Sequence, residues 1–413
     1  MSLFRGFLQS RRHEIYLNQE HLVDSIQQPN RFEKLRLDNV PSPCYIIDEL
    51  AIEENCQILD KVQKLTGCKI LLALKGLSVF SLFPTIRKYL HGTCASGLYE
   101  ARLGKEKFGK ELHVFAPAYD DHEFAQLLPI SDHIVFNSLA QWERLRPLVE
   151  ENRGKISCGI RINPEYSEIS VDLWNPCARY SRFGVKAEDL KSVPEGIEGL
   201  HFHALCRQNS DTLERLLAVI KKKFGNLLSQ VKWVNFGGGQ LITGPEYDID
   251  RLCRIIADFR REYAVDVYME PGEAVGFNAG ILLSTVLEMV RNEIEIAILD
   301  TSPWAHIPDI LTAPLTAPYK PDIIGGGEPS QLKNTYRLAS RSCLSGDIIG
   351  DYSFPQPLHR GSRIMFSDMA SYCAVNNNFF NGIPLPAITI LTKSNDIKIV
   401  RQFGYKDYEA RLS

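Results

Sequence analysis

The chain has 413 residues, enough for two domains and a large core. Its net charge of −3, with no Lys/Arg block beyond Lys221-Lys222-Lys223 in a helical pattern, sets nucleic acid aside as a partner. No apolar run approaches membrane-spanning length, and ten scattered cysteines show neither CxxC pairs nor zinc-like Cys/His spacing, so neither a membrane partner nor a metal is expected.

Met1–Glu14 is interrupted by Arg5, Arg11 and Arg12, with no apolar leader. Together with the unpaired cysteines, this makes the reducing cytoplasm the expected compartment. Residues 1–40 are polar and weakly patterned and read as a peripheral extension. From there to about residue 280, short apolar strands alternate with amphipathic helices. Strands are expected at 69–74, 93–96, 113–116, 133–136, 157–162, 199–203, 233–236 and 266–270. Helices are expected at Leu98–Lys107, Ala140–Glu150, Thr212–Phe224 and Asp248–Arg261. This alternation predicts an α/β fold with a closed (β/α)8 TIM barrel over residues 46–280.

After Gly280 the pattern becomes β-rich. Ile281–Val290 and Glu293–Leu299 read as strands, and Ala387–Leu391 pairs with Ile397–Arg401 across the turn Lys393-Ser394-Asn395-Asp396. Residues 281–413 are therefore expected to form a mostly antiparallel β-barrel or sandwich domain. Residues 1–45 would be the extension plus a segment that joins it.

One run stands out. Ile70-Leu71-Leu72-Ala73-Leu74 is apolar without alternation, as in a strand buried on both faces, and it leads directly into Lys75. A lysine at the C-terminal end of a barrel strand sits on the rim where such folds keep their chemistry. The later strands deliver Arg161, His203, Gly237-Gly238-Gly239 and Glu270-Pro271-Gly272-Glu273 to the same rim. Singly, each has a bland alternative: a satisfied barrel histidine, a structural ion-pair arginine, a turn. Together they supply an amine, a backbone anion cradle and a carboxylate, the parts that pyridoxal 5'-phosphate requires. Lys75 would hold the cofactor covalently, the three glycines would hold its phosphate, and Glu270 its ring nitrogen. His203 would stack on the ring.

The ordered set Ala73-Leu74-Lys75-Gly76, Ser181-Arg182-Phe183-Gly184, Leu200-His201-Phe202-His203, Asn235-Phe236-Gly237-Gly238-Gly239 and Glu270-Pro271-Gly272 resembles the alanine racemase/ornithine decarboxylase-like pyridoxal enzymes of fold type III. So do Ser342-Cys343-Leu344-Ser345-Gly346-Asp347, Asp368-Met369-Ala370-Ser371-Tyr372 and Phe380-Asn381-Gly382. Within that class, Glu270-Pro271-Gly272-Glu273-Ala274, Ala305-His306-Ile307-Pro308-Asp309 and Cys343-Leu344-Ser345-Gly346-Asp347 are similar to the carboxynorspermidine/carboxyspermidine decarboxylases. Diaminopimelate and ornithine decarboxylases usually carry arginine where Glu273 stands. Replacing a cation by an anion there favours a cationic substrate arm. Two positions depart from relatives: Arg207 replaces an acidic residue, and Cys206 replaces a phosphate-binding serine.

The resemblance implies decarboxylation of a carboxylated polyamine by a homodimer, with Cys343 and Asp347 of one subunit completing the other's site. Cys343 would donate a proton to Cα, Tyr372 would lie against the cofactor, and Glu273, Asp309, Asp347 and Arg161 would contact substrate. The alternatives are a decarboxylase of diaminopimelate, ornithine or arginine type, and a catalytically silent pyridoxal-fold protein acting as a binding or regulatory module.

Overall fold

Strand β1 (Cys44–Asp48) is buried along its whole length and belongs to a sheet described below. The next eight strands are β2 (Lys69–Ala73), β3 (Gly92–Ala95), β4 (Glu111–Phe115), β5 (His133–Phe136), β6 (Ser157–Arg161), β7 (Ile197–His201), β8 (Trp233–Asn235) and β9 (Asp266–Met269). They pair in parallel in chain order, and β2 closes on β9 to complete the barrel. Helices cover its outside. The helix Glu49–Thr66, for instance, is capped at its start by Asp48, whose side chain accepts from the Leu50 amide at 2.8 Å, and stops at Gly67 in the left-handed region. The computed structural model describes residues 31–37, 39–152, 156–313 and 318–413. Met1–Arg36 and Leu37–Ser413 are separate units, the described part of the first being one 3-10 turn at Arg31–Lys34. The expected extension before residue 31 lies outside the described residues.

The barrel is a packed core filled by side chains of unequal size. Leu71, Val135, Trp233 and Tyr268 cluster inside it. The Trp233 indole fits because its neighbours on two strands are glycines: a Cβ at Gly199 would come within 2.0 Å of the ring, and one at Gly159 within 2.4 Å. Below this layer the floor is polar. Glu111 pairs with the Nε2 atoms of His91 and His113, each at 2.8 Å, and His113 stacks on His133 with ring centres 3.9 Å apart.

The second domain is a sheet in the order β13-β12-β11-β10-β1-β15-β16, with β14 also pairing β10. Its strands are β10 (Gly280–Asn292), β11 (Ile294–Leu299), β12 (Asn334–Ser340), β13 (Ile348–Phe354), β14 (Arg363–Ser367), β15 (Ala387–Leu391) and β16 (Ile397–Arg401). Only the β1–β15 and β11–β12 pairs are parallel. The expected hairpin of β15 and β16 is present. The sheet domain is tied to the barrel rim beside the lysine: the Tyr372 amide donates to the Gly76 carbonyl at 2.8 Å.

The barrel strands stop earlier than the apolar runs suggest. β7 ends at His201 rather than residue 203, β9 at Met269 rather than 270, and β2 at Ala73 rather than 74. Hydrophobic length overestimates β2 and β7 because the first loop residues also pack inward. Leu74 and Phe202 are fully buried although neither lies in a strand. The expected helix Leu98–Lys107 is α-helical only to Leu103 and continues as a π-turn over Gly104–Phe108.

The floor makes the fold sensitive to acid. Burial, reinforced by His113 alongside, pushes His133 down to about 3. Burial would raise Glu111, but hydrogen bonds from His113 and His91 override it and hold the carboxyl far below its usual range. As pH falls below about 6.5, the unfolded chain takes up a proton that His133 refuses in the folded state. The Glu111 contribution is present above its unfolded value of about 4.3 and is lost as pH falls further. Stability measured by urea unfolding should therefore decline from pH 7 toward pH 3. Glu111→Gln should cost about 2–4 kcal/mol at pH 7, with the deficit narrowing below about pH 4.

Candidate active site

The site is built around a backbone crossing at the C-terminal end of the barrel. Gly237 and Gly239 have φ of +67° and +86°, conformations that favour glycine. A Cβ at Gly237 would lie 2.5 Å from the Phe202 carbonyl oxygen, one at Gly238 2.4 Å from that of Glu270, and one at Gly239 1.8 Å from that of Leu205. The three glycines thus thread between the loops that follow β7 and β9. The Gly238 amide donates to Nδ1 of His203 at 3.0 Å, which leaves the ring's proton on Nε2. Burial, with the Lys75 and Arg161 charges nearby, holds the His203 pKa well below the usual histidine range, so the ring is neutral.

Glu270 faces the same space. Its Oε1 accepts from Asn235 Nδ2 at 2.7 Å and its Oε2 meets His201 Nε2 at 3.3 Å. Burial would raise this carboxyl, yet His201 and more distant cations bring it down to about 2, so it is ionised at neutral pH. Lys75 follows β2 in a tight turn and is exposed to the cavity. Lys75, His203 and Glu270 line both lobes of a bipartite cleft.

One lobe is basic and aromatic. It is lined by Arg161, Arg179, Arg182, Phe115 and Phe183, and by His201. The other, of about 340 Å³, is acidic and includes the glycine loop, Cys206 and Tyr372. Three carboxylates, Glu273, Asp309 and Asp368, converge there. Glu273 forms an ion pair with Arg207. Burial lifts Asp368 to about 6, against the hydrogen bond from the Asn278 amide, and burial also raises Asp309. Burial, then the Glu273 charge, push Tyr372 above the usual phenol range.

The sequence-derived residues thus separate. Lys75, His203, Gly238 and Gly239, Glu270, Tyr372, Glu273 and Asp309 meet in one lobe, with Gly237 immediately behind. Arg161 is placed differently from its expected substrate role. It is 5% exposed, packs its guanidinium on the Phe115 and Phe183 rings at 4.5 and 4.4 Å and donates to the His203 carbonyl at 3.3 Å. It therefore braces the wall under His203 in the basic lobe. Asp347 requires a clearer correction. It is 2% exposed, and its carboxylate accepts from Ser302 Oγ at 2.6 Å, Ser342 Oγ at 2.5 Å and the Trp304 amide at 2.8 Å. Both oxygens accept within the chain and the group is buried, so Asp347 shapes the turn carrying Cys343 rather than facing the cleft. Cys343 is exposed and does not line either lobe of its own chain.

Sequence reasoning assigned no role to His201, Asn235 and Asp368. His201 is two residues before His203, so strand alternation signals that both point into the barrel. Asn235 likewise ends a buried strand just before the glycines. Asp368 has no local signal, because only the docking of the sheet domain brings it to Glu273.

Comparison with known proteins agrees with this geometry. The family described as "Pyridoxal-dependent decarboxylase, C-terminal sheet domain" matches residues 44–370. A carboxynorspermidine/carboxyspermidine decarboxylase from Campylobacter jejuni is 41% identical over 382 residues, spanning 91% of this chain and 99% of the relative. A carboxyaminopropylagmatine decarboxylase from Synechocystis is 42% identical over 386 residues, spanning 93% and 98%. The crystal structure of carboxynorspermidine decarboxylase complexed with norspermidine from Campylobacter jejuni superposes with a TM-score of 0.83 at 40% identity, covering 90% of this chain and 100% of that one. Diaminopimelate decarboxylase from Helicobacter pylori shares the fold, with a TM-score of 0.77 at 17% identity.

The residues present fit pyridoxal phosphate. The cradle tolerates no side chain, and an ionised carboxylate stands opposite an accessible amine. Borohydride treatment of the protein loaded with pyridoxal phosphate should fix one pyridoxyl group on the peptide containing Lys75, read by mass spectrometry. Lys75→Ala should show none.

Proposed function

Because the chain belongs to the pyridoxal-dependent decarboxylase family, we propose that it removes the α-carboxylate of a carboxylated polyamine, carboxynorspermidine or carboxyspermidine, to give norspermidine or spermidine and CO2. One observation carries this reading: three carboxylates face a single guanidinium in the lobe beside Lys75 and the glycine loop. A lobe of that charge suits a chain bearing several ammonium groups and repels the distal carboxylate of diaminopimelate. A guanidino-ended substrate is the second reading. The guanidinium of Arg207 already rests on Glu273, and the Synechocystis relative is named for a carboxylated agmatine derivative.

Pyridoxal phosphate supplies an electron-withdrawing ring that accepts the electron pair released when the Cα–carboxylate bond breaks. The protein does the rest. Lys75 would hold the cofactor covalently and would give it up to the substrate amine. Glu270, kept ionised by Asn235 and His201, holds a proton at the cofactor's ring nitrogen, so that the ring can draw electrons. His203, neutral and fixed by the Gly238 amide, offers a flat apolar face without a competing charge. After CO2 leaves, Cα must gain a proton. Cys343 lies outside its own chain's cleft, on the turn braced by Asp347, and we assign it as the donor to the site of a second subunit. The ten cysteines are free thiols, as suits the cytoplasm, and no helix among the described residues is long and apolar enough to cross a membrane.

CO2 release across both carboxypolyamines, carboxyaminopropylagmatine, diaminopimelate, ornithine and arginine tests the assignment, and turnover of an amino acid alone would refute it. Glu273→Gln should lower kcat/KM by about 10²-fold, the loss expected of one charge-assisted contact, with cofactor affinity unchanged. For the shared site, Lys75→Ala and Cys343→Ala should each be nearly inactive. Their co-refolded mixture should recover up to about a quarter of wild-type activity, since a random heterodimer carries one intact site. No recovery in a proven heterodimer would place all the chemistry within one chain.

A further inference from the structure

Apart from Lys75, Arg207 is the residue of the acidic lobe whose charge opposes the ligand that the lobe is proposed to hold. Three features set it apart. Its guanidinium is paired with Glu273, whose side chain is only 19% exposed, while Arg207 itself remains 55% exposed. Its backbone is in the left-handed region at φ +52°, a strained choice for a residue with a long side chain. Its loop is anchored on both sides. The Gln208 amide donates to the Gly239 carbonyl at 3.1 Å, and Leu205 is fully buried against the glycine run. The fold thus holds a second cation beside Lys75, from a strained backbone, in a lobe whose carboxylates are Glu273, Asp309 and Asp368. Burial opposes the charge on Arg207, but Glu273 first and Asp368 next keep it firmly protonated.

A structural ion pair would not need this arrangement. Glu273 already sits on the short helix Glu273–Gly276, whose packing against Ser371 leaves no room for a Cβ at Gly276. The backbone that carries Glu273 is therefore fixed by its own packing, and Arg207 is the more exposed partner of the pair. Arg161 and Asp347, by contrast, are buried where they brace the fold.

We propose that Arg207 is a tethered competitor for the substrate's distal cation: its guanidinium occupies Glu273 until an ammonium or guanidinium of the bound chain displaces it, and it reclaims Glu273 to expel the product. This deepens the function proposed above and rests on it. The reason lies in the charge change of the reaction. Decarboxylation removes the substrate's one carboxylate, so the product is more cationic than the substrate by one unit. A lobe with three uncompensated carboxylates would bind product more tightly than substrate and stall. A competing cation on a short tether weakens the grip on both at high effective concentration. It thereby trades affinity for release, a selectivity device acting through Glu273 with no part in the bond-breaking step.

The test uses full-length holoenzyme and reads product binding directly. Inhibition constants for norspermidine, spermidine and aminopropylagmatine, each added to the assay, are compared for wild type, Arg207→Gln and Arg207→Lys. Arg207→Gln should lower the inhibition constant of the preferred amine about tenfold. It should lower KM in the same direction and reduce kcat, with Arg207→Lys intermediate. Absorbance titration with pyridoxal phosphate should show the same cofactor affinity in all three proteins. Unchanged or weaker amine inhibition in Arg207→Gln, in an enzyme that still decarboxylates carboxypolyamines, overturns the role of Arg207 and leaves the function standing. Loss of cofactor affinity in that variant overturns it by making Arg207 a phosphate ligand. A wild type that neither turns over carboxypolyamines nor is inhibited by their amines overturns both readings.

Discussion

Everything at this site depends on how closely Gly237-Gly238-Gly239 passes its neighbours. The loops after β7 and β9 approach the glycine run so nearly that no Cβ fits at any of the three positions. That proximity lets one amide fix the His203 ring and lets Glu270 turn back beside Asn235 and His201. The Gly237 amide donates to Asn235 Oδ1 at 2.9 Å as the Gly238 amide does to His203, so the run itself is held rigid at the cavity wall. A larger side chain would push the loops apart, and the carboxylate, the ring and the cradle would lose their common origin.

The two lobes of the cleft divide the electrostatic work. The basic, aromatic lobe holds Arg161 and Arg182 against Phe183 and Arg179 against Tyr180, and surrounds the end of the cleft where Glu270 must stay ionised. The acidic lobe sets Glu273, Asp309 and Asp368 against Arg207. Lys75, His203 and Glu270 stand where the lobes meet, so one small region adjoins both a cationic and an anionic wall. A substrate with an α-carboxylate at one end and amines along the other is matched by that division. Charges placed in a partly enclosed cleft interact more strongly than they would in water.

The sheet domain contributes more than a platform. Its segment from Asp368 to Cys373 crosses the barrel rim, pinned by the Tyr372 amide to Gly76 next to Lys75. Tyr372 takes a positive φ of +62° there, and Asp368 one of +54°, so both side chains reach the cleft from strained backbone. The turn carrying Cys343 is shaped separately by Asp347, which gathers Ser302, Ser342 and the Trp304 amide about a single buried carboxylate. A buried, fully bonded carboxylate is well suited to holding an exposed thiol on a fixed loop.

Much of this was legible in the sequence, for physical reasons. The apolar run before Lys75, without alternation, means a strand buried on both faces, and eight short strands alternating with amphipathic helices leave few topologies besides a closed barrel. Because barrel strands present their C-terminal ends on one rim, Lys75, His203, the three glycines and Glu270 could be gathered there from their positions along the chain alone. Strand ends were less legible, because inward-packing loop residues such as Leu74 and Phe202 prolong the apolar signal. Long-range partners were not legible at all. That Arg207 would meet Glu273, that Asp347 would spend both its oxygens within the chain, and that Arg161 would brace a wall between two phenylalanines depend on side chains brought together from distant segments. Local sequence carries periodicity and turn chemistry. Which charge faces which is decided only in the folded chain, where barrel loops meet one another and the sheet domain adds Asp309 and Asp368 to the lobe of Glu273.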